Sequence, residues 1–105
     1  MNEYHAKFAL GQLVQHTKFG YRGVIVGVDA TFQGTDEWYE NVARSRPPRE
    51  KPWYNVLVHN GTHHTYVAER HLEPDELNTP INHPDVAVFF DRFEGDRYVN
   101  ETHLN

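Results

Sequence analysis

At 105 residues and 38% hydrophobic content, the chain has the size for one domain around one modest core. It contains no cysteine, which excludes a disulfide framework, a thiolate metal site and a thiol nucleophile, and suits a reducing cytoplasm. The formal net charge of −5 is uneven: residues 1–72 hold eight Lys or Arg against seven Asp or Glu, and residues 73–105 hold two against eight, so phosphate can be met only locally, on the near-neutral body.

The first expected strand is Phe8 to His16, with Leu10, Leu13 and Val14 placed around the turn residue Gly11. Thr17 to Gly23 reads as a turn in which Gly20 and Gly23 bracket an exposed pair, Tyr21 and Arg22. A β-branched strand follows from Gly23 to Thr31, and Gly27 inside it predicts a bend or bulge. Thr35 is placed to cap a short helix with Asp36 and Glu37 in its first turn and Trp38, Tyr39 and Val42 on one face. Pro47, Pro48 and Pro52 forbid its continuation.

The centre of the chain is residues 51–72. Asn60-Gly61 between two β-rich runs predicts a hairpin with a two-residue type I′ turn, in which Val56 faces Thr65 and Tyr54 faces Val67. One face then carries Tyr54, Val56, Val58, Thr65 and Val67, the other Trp53, Leu57, Tyr66 and Ala68. A hairpin apolar on both faces belongs to a tightly coiled small β-barrel with a helix outside it, or to a subunit contact.

Glu69 to Leu72 reads as a tight turn into a short last strand, followed by a polar linker to about residue 80. Pro84 then opens a second helix over residues 84–94, with Val86, Phe89, Phe90 and Phe93 as its apolar stripe and Gly95 as its C-terminal cap. That stripe packs on the barrel of its own chain or on a neighbouring subunit. The whole is one domain, with a mainly β barrel over about 7–74 and a helical tail over about 80–105, its last residues frayed. No apolar run is long enough to cross a membrane, and the N-terminus lacks the apolar core of a secretory signal.

Candidates for catalysis are few. The single serine, Ser45, has no base identifiable beside it in sequence, and no phosphate-binding loop or dinucleotide fingerprint occurs. The carboxylate pairs Asp36/Glu37 and Asp75/Glu76 are explained by capping and solvation. His59, His63, His64 and His71 crowd the central hairpin, but His63 and His64 point to opposite faces and no carboxylate completes a familiar spacing. The expectation is therefore no enzyme, no cofactor and no metal.

The clearest binding signal is Arg44, Arg46, Arg49 and Lys51, held in an extended proline-rich loop beside Trp38, Tyr39, Trp53 and Tyr54. Guanidinium forks suit phosphates and aromatic rings can stack on bases. The competing reading is a solubilising connector whose field is diluted by Asp36, Glu37, Glu40 and Glu50. Trp38, Tyr39, Phe89, Phe90 and Phe93 are the candidate residues for a protein partner.

The order Lys7-Phe8, Gly11-Gln12, Gly23-Val24-Ile25, Thr35-Asp36-Glu37-Trp38, Arg46-Pro47, Lys51-Pro52-Trp53-Tyr54, Thr65-Tyr66-Val67-Ala68-Glu69 and His83-Pro84 resembles the YccV-like, or HspQ, family across nearly the whole chain. The resemblance implies a small SH3-like β-barrel, non-enzymatic binding, a cytoplasmic setting and a homo-oligomer, a trimer for instance. It implies two roles: binding hemimethylated DNA, and promoting the degradation of denatured or regulatory client proteins by an ATP-dependent protease such as Lon. It supplies no binding motif, so the basic loop rests on its charge alone.

Overall fold

A computed structural model describes residues 5–101. Its strands are β1 Leu13–His16, β2 Arg22–Asp29, β3 Trp53–Val58, β4 His64–Ala68 and β5 Leu72–Pro74. They form one antiparallel sheet in the order β4-β3-β2-β1-β5. β4 and β5 lie on opposite edges, yet only the 3-10 turn Glu69–His71 separates them in sequence. The edges of a flat five-stranded sheet stand about 19 Å apart, whereas the four Cα steps from Ala68 to Leu72 span about 14 Å at full stretch. The sheet must therefore curl. It does not close: among the described residues no ladder joins β4 to β5, so the mainly β reading holds and a closed barrel is not found.

The hairpin register is the expected one, with Tyr54 opposite Val67, Val56 opposite Thr65 and Leu57 opposite His64. The turn is not. Of the Asn60-Gly61 pair, Asn60 alone takes a left-handed φ, of +64°, and residues 59–63 form a longer loop. Competing bonds explain this: His59 N donates to Arg22 O, Asn60 N to Asn82 O, and Asn82 N to His59 Nδ1. The loop follows its neighbours rather than the turn the dipeptide would form alone.

Both hairpin faces are buried within the chain. Inside the curl, Phe8, Val14, Ile25, Tyr54, Val56, Val67 and Leu72 form the main core. Outside it lie two clusters, one around Leu13, Val24, Leu57, Ile81 and Tyr98 and one around Tyr39, Trp53 and Ala68. Each fully buried aliphatic or aromatic side chain contributes about 1.5–3 kcal/mol. The expected bulge is present: Ile25 pairs with Val56 and Gly27 with Asn55, leaving Val26 as the extra residue.

Helix α1, Asp36–Val42, is capped as expected by Thr35, whose Oγ1 accepts from Trp38 N at 3.0 Å. Tyr39 is buried and Trp38 half-buried, and Val42, although exposed, lines the same cavity as Trp38. The exposed pair expected after Gly20 is also corrected. Tyr21 packs on the core, and Arg22 pairs at 3.0 Å with Asp75, whose carboxylate is buried rather than solvated.

The largest correction is the tail. Helix α2 covers only Val86–Phe89, Phe90 is extended, and the chain continues as a hairpin of β6 Arg92–Glu94 and β7 Arg97–Val99. Gly95, at φ +71°, opens that hairpin's two-residue turn instead of capping a helix. Phe93 consequently opposes Tyr98 across the ladder, and the Tyr98 hydroxyl accepts from Ile81 N at 2.8 Å. The stripe survives without its helix: Val86, Phe89, Phe90 and Phe93 are half-buried on the outer cluster of their own chain. Fraying is expected from residue 99, but Val99 is paired in β7, the Asn100 side chain donates to Phe89 O and Glu101 N to Asp91; residues 102–105 lie outside the described residues.

Candidate nucleic-acid interface

The end of α1, the β1–β2 turn and the edge strand β4 line a cavity of about 380 Å³. Its apolar wall includes Trp38, Trp53 and Tyr66. Trp53 and Tyr66 stack at 5.2 Å, and Trp38 meets Tyr66 edge-on at 5.8 Å. The Tyr66 hydroxyl donates to Asp29 at 2.6 Å and accepts from Gln33 N at 3.0 Å, which fixes the ring. Burial, then the bond to the Asp29 carboxylate, pushes its pKa up to about 12, so it stays neutral.

The opposite wall carries His16, Lys18, Phe19 and Tyr21, with Arg44, Ser45 and His71 also lining the cavity. His16 Nδ1 accepts from Lys18 N at 3.1 Å and Phe19 N at 3.0 Å. Two N–H groups aimed at one nitrogen leave no room for a proton there, so the ring is the Nε2–H tautomer. Burial, then the charges of His71 and Lys18, lower its pKa. Burial, then Arg70 and Lys18, lower that of His71, whose ring stacks on His16 at 5.6 Å. Lys18 thus acts on both rings, the mark of a positive local field. Phe19 is 73% exposed at the rim, an apolar ring left in water.

Every charged residue lining this cavity is a cation or a histidine; none is a carboxylate. In a chain of net charge −5 that is a local inversion, and it sits against aromatic rings.

The four expected cations do not act together. Arg44 lines the cavity and makes no ion pair among the described residues. Arg46, held at φ +54°, pairs with Glu40 at 2.8 Å. Arg49 pairs with Asp36 at 2.6 Å, and its guanidinium lies 4.2 Å from the centre of the Tyr39 ring, so it is built into the support of α1. Lys51 is exposed outside the cavity. Of the aromatic candidates, Trp38 lines the cavity, while Tyr39 is buried with its hydroxyl donating to Pro47 O. Phe89 and Phe90 line a second cavity of about 520 Å³ with Leu10 and Val26, and Phe93 packs on Tyr98.

Sequence reasoning missed the cluster of Lys18, Phe19 and His16 in one turn, which His71 joins only when β5 returns beside β1. The adjacent Lys18-Phe19 pair in a glycine-bounded turn was the available signal. It also missed a base beside Ser45, whose Oγ lies 2.8 Å from His71 Nε2. Among the described residues no carboxylate orients that imidazole, so the pair lacks the third group of a nucleophile triad.

The described residues thus form a small, mainly β domain whose curled antiparallel sheet is covered on both faces and carries an aromatic, cation-edged groove. The chain belongs to the YccV-like family, described as "Hemimethylated DNA-binding protein YccV like", which it matches over residues 6–97. It is also similar to F-box only protein 21 of Homo sapiens and of Mus musculus, with 34% identity over 99 residues in each case. That match covers 92% of this chain but only 16% of either relative. No helix among the described residues is long and apolar enough to cross a membrane.

Proposed function

We propose that the protein is a non-enzymatic DNA-binding protein of the hemimethylated-DNA type, with the aromatic groove as the seat for DNA. The observation that carries this reading is the groove's lining: Lys18 and Arg44 with the partly exposed rings of Trp38 and Tyr66, buried Trp53 supporting them, and no carboxylate among them. Cations take the phosphates, and flat rings take a base or its methyl group. The family's description supports the same reading. The short 3-10 link between the edge strands supports a further assignment, to the SH3-like small-barrel class, and the lack of cysteine suits a cytoplasmic setting.

The test is a salt titration of binding to hemimethylated, fully methylated and unmethylated duplexes of one sequence. Each lost phosphate contact reduces the log-log salt slope by about 0.9 in duplex DNA. Lys18→Ala with Arg44→Ala should therefore flatten it by about two units, and Trp38→Ala should reduce the preference for the hemimethylated duplex. Unchanged slope and preference in these variants would move DNA off the groove.

A second reading is favoured by the other cavity. Its Leu10, Phe89 and Phe90 lining is apolar, and Leu10 is 58% exposed. An adaptor that presents denatured or regulatory clients to an ATP-dependent protease such as Lon would use that face, in an oligomer as in a single chain. Capture of the same proteins from lysate with and without nuclease separates it from the DNA reading.

A further inference from the structure

We propose that His64, His83 and Asp85 form a zinc(II) site that fastens the segment leading into α2 to strand β4. Nitrogen or oxygen atoms of the three side chains all lie within 4.8 Å of one another. They come from places far apart in sequence: His64 opens β4, and His83 and Asp85 precede α2. The set is two imidazoles and one carboxylate, a donor set that borderline-soft zinc takes with solvent completing the tetrahedron.

The hydrogen bonds prepare His83 for this role. Its Nε2 lies 3.1 Å from the His63 carbonyl oxygen, which can only accept, so Nε2 carries the proton and Nδ1 carries the lone pair. A ring N–H held by a backbone carbonyl is the usual orienting contact of a metal-ligating histidine. Nδ1 now accepts from Asp85 N at 3.0 Å, a bond the ion would displace. His83 is itself buried, which fixes its place.

The other two ligands supply the movement. His64 Nε2 stands 3.1 Å from Asp85 Oδ2, and the two side chains are 44% and 42% exposed. Zinc bonds of about 2.0–2.2 Å to nitrogen and oxygen draw neighbouring ligand atoms to about 3.3 Å. Side-chain rotation of His64 and Asp85 can provide that contraction while the buried ring stays put. The proton on His64 Nε2 passes to Nδ1 or to solvent as the ion binds. The Phe89 ring, 6.2 Å from that of His64, gives the site one apolar wall.

The experiment is calorimetric titration of the full chain with Zn²⁺, with Co²⁺ as a spectroscopic probe and thermal melting alongside. The expected result is one ion per chain, a tetrahedral cobalt absorption band, and a melting temperature raised by zinc and not by Mg²⁺. His64→Ala and Asp85→Asn, both at exposed positions, should each weaken zinc at least tenfold and abolish the band. His63→Ala, which keeps the carbonyl that holds His83, should bind as the parent does. Absence of zinc binding in the parent overturns the proposal. Parent-like affinity in His64→Ala and Asp85→Asn, or equal loss in His63→Ala and His64→Ala, overturns it too, since either marks a diffuse histidine surface.

Discussion

The Tyr54 hydroxyl donates a 2.6 Å hydrogen bond to Glu69, a carboxylate buried at the start of the 3-10 turn. Glu69 also accepts from Lys7 N at 2.9 Å, and the Tyr54 oxygen accepts from Phe8 N at 3.2 Å. The N-terminal segment is thereby tied to the turn that links the two sheet edges. Burial, then the bond to Glu69, raises the Tyr54 pKa far above its ordinary range. Tyr54→Phe removes the donor to a buried charge and should cost about 1.5–3 kcal/mol. A 2 kcal/mol loss lowers the melting temperature by roughly 10 °C in a domain of this size. A change under 2 °C would show that the bond contributes nothing net.

The His16 ring predicts a pH dependence. Its folded pKa is lowered, so below about 6.5 the unfolded chain binds a proton that the folded chain refuses. Stability is thus full above that pH and declines as pH falls toward the folded value. His71 shifts in the same direction and adds to the slope. Asn in place of His16 can still accept from Lys18 N and Phe19 N but does not titrate. Melting temperatures of the parent should fall between pH 7.5 and 5.5, and those of His16→Asn should fall less.

Arg44 and Arg49 should separate stability from binding. Arg49 is stacked on Tyr39 and paired with Asp36, so Arg49→Ala should cost about 1 kcal/mol of stability and barely alter the salt slope for DNA. Arg44 has no such ties among the described residues, so Arg44→Ala should leave the melting temperature within about 1 °C, well inside ±0.5 kcal/mol, and reduce the slope by about one unit. The reverse pattern would place the phosphate contact on Arg49.

Phe90 stacks on Tyr98 at 5.4 Å while remaining partly exposed. Phe90→Ala should therefore cost about half of the 3–5 kcal/mol typical of a fully buried ring. Chemical denaturation measures this directly. A cost near zero would detach the C-terminal hairpin from the outer cluster.

Local chemistry made β2 to β5, the Thr35 cap, the bulge before Gly27 and the register of the central hairpin legible in the sequence, while the first strand, expected over Phe8 to His16, is only Leu13–His16. The tail was misread because Val86, Phe89, Phe90 and Phe93 fit a helical period. The competing signal was Gly95-Asp96, a glycine-first pair that suits a two-residue hairpin turn. The basic loop was visible as composition, and so was its dilution by the acids of α1, which the structure realises as the pairs Arg46–Glu40 and Arg49–Asp36; that Arg44 alone of the three arginines stays out of such a pair was not visible. The groove's residues come from the β1–β2 turn, α1, β3, β4 and the 3-10 turn, which the sheet brings together, so no sequence window contains them.

The placement of β5 beside β1 also sets an order of events during synthesis. β1 finds β2 almost at once, but its other edge must wait for Val14 to meet Pro74 and His16 to meet Leu72. Until those residues leave the ribosome, one flank of the first strand stays open to pairing with another chain. Closure across so long a loop is slow compared with hairpin formation. A nascent chain stalled before Leu72 is therefore the species of this protein most exposed to aggregation, and the three residues of the 3-10 turn are what end that exposure.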